Sequence, residues 1–216
     1  MFKYLLIFFL IAFIIYIKSN HVHIKFKTFT KKGFAPIRGP FGVYCYCGKQ
    51  GKGKTYSCVE FLNENKNMPI YSNVHLNNFD YTYFSGFDEL LKLRDKTDCI
   101  ILFDEIFTAL TKSSRINSDV LDFLSQMRKR RIIFITTAQE WLEINITLRR
   151  YCRYQINCNI LTIGPFGLLI KTCHDAEQMH WSNEENDYIA PITDTTISKL
   201  NLHISQLYDT FEQIKT

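Results

Sequence analysis

The sequence predicts an α/β fold, with a mainly parallel, doubly wound sheet and helices on both faces. Three observations carry this reading. Apolar, β-prone runs alternate along the chain with segments of helical periodicity. One run, residues 42–47 (GVYCYC), leads through a glycine-rich loop directly into a helix-like segment, residues 54–63. Another, residues 99–103 (CIILF), ends in two acids, Asp104 and Glu105. An unbroken apolar run of that kind suits a strand buried on both faces.

The 216 residues suffice for one ordinary domain and a little more. Hydrophobic residues make up 46% and charged residues 22%, which excludes a wholly disordered chain. The formal net charge of +5 permits contact with nucleic acid or anionic lipid and requires neither. There are seven cysteines, an odd count without a C-x-x-C pair, which argues against a disulfide framework or a zinc site. Cys45 and Cys47 share one strand face and read as small hydrophobes. Cys173-His174 with His180 is the only other metal-like grouping and reads as core or surface. A reducing cytoplasm suits the globular part.

Residues 4–17 (YLLIFFLIAFIIYI) form an uncharged apolar run between Lys3 and Lys18. At fourteen residues it falls short of the roughly 20 needed to span a bilayer. Snorkelling of both lysines extends its reach. A cleaved signal peptide wants small residues before its cleavage site, and Tyr16-Ile17-Lys18 does not supply them. A buried core helix keeps a polar face, and this run has none. The run therefore reads as a single-pass or deeply embedded anchor. Lys18, Lys25, Lys27, Lys31, Lys32 and Arg38 follow it, so the body of the protein is expected on the cytoplasmic side. The expected organisation is an anchor at 1–20, a basic linker at 21–40, a nucleotide-binding domain at 41–175 and a C-terminal extension at 176–216.

The loop Gly48-Lys49-Gln50-Gly51-Lys52-Gly53-Lys54-Thr55 fits the phosphate-binding pattern G-x-x-x-x-G-K-[ST], in its required context of strand, loop and helix. The glycines let successive backbone N–H groups face phosphates, and the helix N-terminus adds its dipole. Lys54 is expected to reach the β- and γ-phosphates of ATP, and Thr55 to give its hydroxyl to Mg2+. Asp104, at the tip of its strand, is the second expected Mg2+ partner, through water. Glu105 is placed to polarise an attacking water.

Between these motifs, residues 69–76 (PIYSNVHL) read as a strand and 86–93 as a helix. Beyond them, 116–127 show helical amphipathicity, with apolar Ile116, Val120, Leu121, Phe123, Leu124 and Met127. Residues 131–137 form a further strand run whose end carries Thr136, Thr137 and then Gln139. A polar side chain there would sit beside the γ-phosphate, between the two motif strands.

Taken together, GKQGKGKT, YSNVHL, IILFDE and ITTAQ resemble the P-loop ATPases of the FtsK/HerA superfamily. The likeness is nearest to zonula occludens toxin-like morphogenesis proteins of filamentous phages and to viral genome-packaging ATPases, and covers residues 40–160. It implies a RecA-like P-loop NTPase fold of the ASCE type, ATP hydrolysis, assembly as a ring and movement of DNA through a membrane or into a capsid. By the same resemblance Gln139 matches the sensor position. The toxin-like proteins carry their membrane segment after the ATPase domain, whereas here it comes first. Ring ATPases complete their site with an arginine from the next subunit; Arg149 and Arg150 are the candidates, and the sequence does not choose between them.

Arg128-Lys129-Arg130-Arg131 is the densest basic cluster. It fits DNA phosphates, and equally the negative end of a helix dipole. Lys112, Arg115 and Arg38 are weaker DNA candidates. Residues 153–161 and 168–173 flank Gly164-Pro165-Phe166-Gly167 as strand, turn and strand. Ile197, Leu200, Ile204, Leu207, Phe211 and Ile214 recur at spacings of three and four, which predicts a C-terminal amphipathic helix that packs on the domain or between subunits. The functional expectation is a membrane-anchored ATPase that drives DNA translocation in virion assembly, packaging or export. The alternative is a membrane-tethered nucleotide switch that acts through a protein partner.

Overall fold

The computed structural model describes residues 2–19, 22–25, 41–106, 110, 116–163 and 166–209. The chain begins with helix α1 (Phe2–Ser19) and a short strand β1 (Val22–Lys25). The core then runs β2 (Gly42–Cys47), α2 (Lys54–Glu64), β3 (Ile70–Ser72), β4 (Thr82–Tyr83), α3 (Gly86–Leu91) and β5 (Ile100–Phe103). It continues with α4 (Ser118–Gln126), β6 (Ile133–Ala138), α5 (Ile146–Tyr151) and the long hairpin β7 (Cys152–Ile163) and β8 (Phe166–Asp175). A small hairpin, β9 (His180–Ser182) and β10 (Asp187–Ile189), precedes β11 (Ile192–Lys199) and a single helical turn, α6 (Leu202–Ser205).

One nine-stranded sheet has the order β1-β11-β8-β7-β2-β6-β5-β3-β4. From β7 to β4 every pairing is parallel. The β7–β8 and β8–β11 pairings are antiparallel. This is the expected α/β P-loop NTPase fold with a mainly parallel sheet. Strand β6 lies between β2 and β5, with Thr136 in register with both Cys45 and Phe103. The C-terminal ends of β2, β3, β5 and β6 therefore meet at one edge of the sheet.

Alternation along the central strands sorts the core into two layers. Val43, Cys45, Ile101, Phe103 and Phe134 face α3, α4 and α5. Tyr46, Ile100, Leu102, Ile133 and Ile135 face α2. All six residues of β6 are buried, as in a central strand covered on both faces. The described cysteines are free thiols, and six of the seven are buried, as the hydrophobe reading expects.

Two sequence expectations need correction. Helix α1 forms over the N-terminal apolar run, yet among the described residues no helix is long and apolar enough to cross a membrane. Its 18 residues reach about 27 Å at 1.5 Å per residue, below the roughly 30 Å of a hydrocarbon core. The expected spanning helix ahead of the domain is therefore not supported. The C-terminal stripe is also not one helix. Ile197 lies in β11, because the β-branched run Ile-Thr-Asp-Thr-Thr-Ile pairs with β8. Among the described residues of the stripe, only Leu202–Ser205 are helical, with Ile204 and Leu207 buried. The sheet accordingly extends past residue 175. Phe211, Ile214, Arg38, Lys112, Arg115, the Gly164-Pro165 turn and most of the basic linker lie outside the described residues.

The central layer predicts a stability cost. Phe134 is fully buried and packs edge-on against Phe123 at 6.4 Å between ring centroids. Phe134→Ala is expected to lower unfolding free energy by about 3–5 kcal/mol, read from urea denaturation. A loss below about 1 kcal/mol would contradict this packing.

Candidate active site

The glycine loop connects β2 to α2, and its backbone demands glycine at two points. Gly53 caps α2 in the left-handed region, at φ 83° and ψ 26°. A Cβ there would approach Leu169 Cδ1 to 3.0 Å and Ile160 Cδ1 to 3.1 Å. At Gly48 a Cβ would lie 2.7 Å from the Cys158 carbonyl oxygen. The Gly48 N–H donates to the carbonyls of Ala138 and Gln139 at 3.3 and 3.1 Å. The loop is thus seated between the end of β6 and the β7–β8 hairpin. Lys52 N–H closes it onto the Lys49 carbonyl at 3.1 Å, and the Lys54 ammonium donates to the same carbonyl at 3.4 Å.

Opposite the loop stands Asp104, 3% exposed at the tip of β5. Thr55 donates its hydroxyl to Asp104 Oδ2 at 2.8 Å. Thr137, from the end of β6, donates its hydroxyl to Asp104 Oδ1 and accepts the Glu105 N–H at 3.0 Å. Asn73, just past β3, holds the Asp104 backbone from the other side. Its amide donates to the Asp104 carbonyl at 3.1 Å, and its carbonyl accepts the Asp104 N–H at 2.7 Å. Four elements therefore converge on Asp104, two of them on its carboxylate.

Burial pushes the Asp104 carboxyl above the ordinary aspartate range, against the two hydroxyl donors and the Lys54 charge. Glu105 is also raised, first by desolvation, then by the Asp104 charge, with Lys54 opposing. Its backbone sits at φ 56°, a conformation that costs a non-glycine residue about 1–3 kcal/mol. Such strain is typical of residues held for a task.

Lys54, Thr55, Asp104 and Glu105 line one cleft of about 510 Å³, together with Gln50, Gly51 and Gly53. The carboxylate and hydroxyl pair supplies hard oxygen donors of the kind Mg2+ prefers, so the residues present fit that ion. Gln139 is exposed and gives its backbone carbonyl to Gly48. The side-chain link from the end of β6 to the acids is made by Thr137. Thr136, in register with Cys45 and Phe103, points to the other layer and is buried without a hydrogen-bond partner.

Arg149 and Arg150 lie in α5, just before Cys152, which pairs with Val43 at the start of β2. They are therefore at the opposite end of the strands from the cleft. Arg149 stacks over the Tyr188 ring at 5.2 Å, while Arg150 is exposed. The basic cluster occupies the same far end. Arg128 pairs with Glu177, Arg130 with Asp95, and Arg131 with Asp98, so three of its four charges have acidic partners within the chain.

Asn73 was missed from sequence, although a polar residue directly after a short apolar strand is a usable signal. A second cleft of about 580 Å³ lies beside β7 and the β9–β10 hairpin, with Glu140, Asn157, His174 and Asp187 among its walls. It shares no residue with the phosphate loop.

The Asp104 environment has a pH signature. Its folded-state pKa lies above the unfolded value, so the folded chain binds the proton more tightly. Stability then falls as pH rises through that window. In EDTA and without nucleotide, Asp104→Asn is expected to exceed the wild type in stability near about pH 7, with the gap narrowing towards about pH 4. Denaturant midpoints across that range measure it. A variant weaker than wild type throughout would mean that the hydroxyl bonds outweigh desolvation.

Residues 44–161, more than half of the chain, match the ATPase family associated with various cellular activities (AAA). No curated protein matches the sequence. Among solved structures, the N-terminal domain of zonular occludens toxin from Neisseria meningitidis is similar, with a TM-score of 0.54 and 16% identity over 79% of this chain and 100% of that one. The genome packaging NTPase B204 from Sulfolobus turreted icosahedral virus 2, in complex with ATP-gammaS, superposes with a TM-score of 0.45 and 12% identity over 71% of this chain and 99% of that one. The first likeness is one of fold. The chain belongs to the AAA family of ATPases.

Proposed function

We propose that this ATPase is held at a membrane by α1, assembles as a ring and uses ATP hydrolysis to move DNA in virion assembly, packaging or export. The observation that carries the catalytic part is the set of hydrogen bonds linking Thr55, Asp104, Thr137 and Glu105. In it, the phosphate-binding helix, the acid-tipped strand and the strand between them share one carboxylate.

The roles follow from position. Backbone N–H groups of Gly51 and of residues 53–55 cradle the phosphates, and Lys54 neutralises the charge on the β- and γ-phosphates. Thr55 and Asp104 would hold Mg2+, which when bound offsets the negative charge of the phosphates. Glu105 orients the attacking water and accepts its proton as the bond to the γ-phosphate forms; ADP leaves with the bridging oxygen. Its raised pKa brings it nearer the range where a carboxylate serves as a base at neutral pH. Thr137 reaches both acids, so a change in the Asp104 environment passes to the backbone of Glu105. Exposed Arg150 is the better placed of the two arginines to enter a neighbouring subunit's site, since Arg149 is stacked on Tyr188.

The membrane part rests on α1. Its large apolar side chains from Tyr4 to Tyr16 are exposed, from Ile14 at 46% to Tyr4 at 79%. A helix apolar all round needs an apolar environment to cover it. The basic residues that follow α1 support a cytoplasmic-face position for the ATPase domain in this reading. DNA movement is supported by the resemblance of the motifs to the FtsK/HerA superfamily.

The full chain in detergent should hydrolyse ATP faster with DNA and form a multimer with a non-hydrolysable analogue. Lys54→Ala should cut turnover about 10²–10³-fold or more. Glu105→Gln should lose about 10²–10⁴-fold in rate while retaining ATP. Ile11→Asp should reduce flotation with anionic liposomes. Hydrolysis indifferent to single- and double-stranded DNA by a monomer would sink the motor and leave a nucleotide switch.

A further inference from the structure

The starts of the central strands, at the end of the sheet away from the glycine loop, carry a basic surface that the catalytic arrangement leaves without a task. Its centre is Gly42, the first residue of β2. A Cβ there would meet Arg153 Cβ at 3.6 Å and Arg128 Cγ at 3.8 Å. The stems of two arginines, from β7 and from the end of α4, therefore flank one backbone position. The Arg131 guanidinium lies over the preceding ring, Phe41, at 5.7 Å from its centroid. The Arg153 guanidinium lies over the Tyr154 ring at 5.6 Å. Such cation–π contacts hold a guanidinium in place without consuming its N–H donors. Lys129 adds an exposed charge beside Arg128.

Acidic partners do not saturate this surface. The Arg128 and Glu177 side chains are 52% and 48% exposed, and those of Arg131 and Asp98 are 65% and 52% exposed. Ion pairs this open to water contribute little net stability, so a competing anion displaces or shares them at small cost. The Arg153 Nε is buried with no hydrogen-bond partner among the described residues. An unmet guanidinium donor in a cluster of like charge is suited to a phosphate oxygen.

Strand register separates the two polyanions that match such a surface, lipid headgroups and DNA. Val22 of β1 is level with Thr195, Thr195 with Thr172, Thr172 with Asn157, and Asn157 with Cys47. Helix α1 ends at Ser19, just before β1, so it joins the sheet at the height of Cys47, beside the glycine loop. Gly42 stands at the other end of the same strand, roughly 17 Å away at about 3.3 Å per residue. The basic surface is thus remote from the point where the membrane segment is attached, which favours DNA.

We infer that this foot of the sheet is where the protein holds DNA, through sequence-independent phosphate contacts from Arg128, Lys129, Arg131 and Arg153. This deepens the DNA-moving reading and rests on it. Cargo and fuel are then held at opposite ends of β2, and DNA acts on hydrolysis along the strand rather than by entering the nucleotide cleft.

Fluorescence anisotropy of a labelled DNA duplex, titrated with the full chain in detergent over a range of salt, tests it. Lys129→Glu and Arg153→Gln should each weaken binding about tenfold and lower the slope of log affinity against log salt by about 1. Arg153→Lys, which keeps the charge, should retain most of the affinity. ATP hydrolysis without DNA and flotation with phosphatidylserine liposomes should stay at wild-type levels, which also shows that the variants fold. Exposed Lys129 keeps the test open even where an Arg153 variant does not fold. Unchanged DNA affinity and salt slope would overturn the assignment. Loss of flotation with DNA binding intact would also overturn it, since that is the behaviour of a headgroup surface. A wild type that binds no DNA would instead overturn the DNA-moving reading on which this one rests.

Discussion

The structure depends on a carboxylate buried where water cannot solvate it. Asp104 is 3% exposed, and burying an uncompensated charge there would cost several kcal/mol. The fold answers with hydroxyls rather than a salt bridge. Thr55 and Thr137 donate to its two oxygens, and the Lys54 charge favours the ionised form. Each such bond to a charged group contributes about 1.5–3 kcal/mol. Together they offset part of the penalty, and the residual upward shift of the acid records what they leave. The site is thus stable enough to persist and unstable enough to gain from a cation.

That constraint explains the order of the sheet. A carboxylate at the tip of β5 can be met by the first turn of α2 only if β2 lies near, and by Thr137 only if β6 lies between. The observed order β2-β6-β5-β3 places the hydroxyl of Thr137 beside both acids and the amide of Asn73 on the opposite flank. Glycine at 48 and 53 lets the loop descend between Ile160, Leu169 and the Cys158 carbonyl. Chain direction, strand order and glycine placement therefore serve one local arrangement.

The sequence showed what is written locally. The phosphate loop is eight consecutive residues, and the acid tip follows an unbroken apolar strand, so both were legible. So was the intervening strand, because residues 131–137 carry their own apolar pattern. The links between elements were not. Thr137 and Asp104 are 33 positions apart, Asn73 and Asp104 are 31 apart, and Asn77 meets Gln206 across 129. No periodicity encodes such meetings; register does. Gln139 drew attention because it ends the polar run, yet strand alternation sends Thr137 to the α2 side with Tyr46. The C-terminal helix was misread for a related reason. Spacings of three and four among Ile197, Leu200, Ile204 and Leu207 arise here from a strand, a turn and a single helical turn in succession.

Strain at Glu105 adds a dynamic element to this static frame. Its φ of 56° is held by the bond from its N–H to Thr137, and Thr137 is held in turn by Asp104. A hydroxyl that serves two acids at once cannot keep both bonds unchanged when the charge around one of them changes. Neutralising Asp104 weakens its hold on the Thr137 proton, and the Glu105 backbone then loses part of what keeps it in a costly conformation. The Glu105 backbone is therefore coupled to the charge on Asp104 through a chain of only two hydrogen bonds.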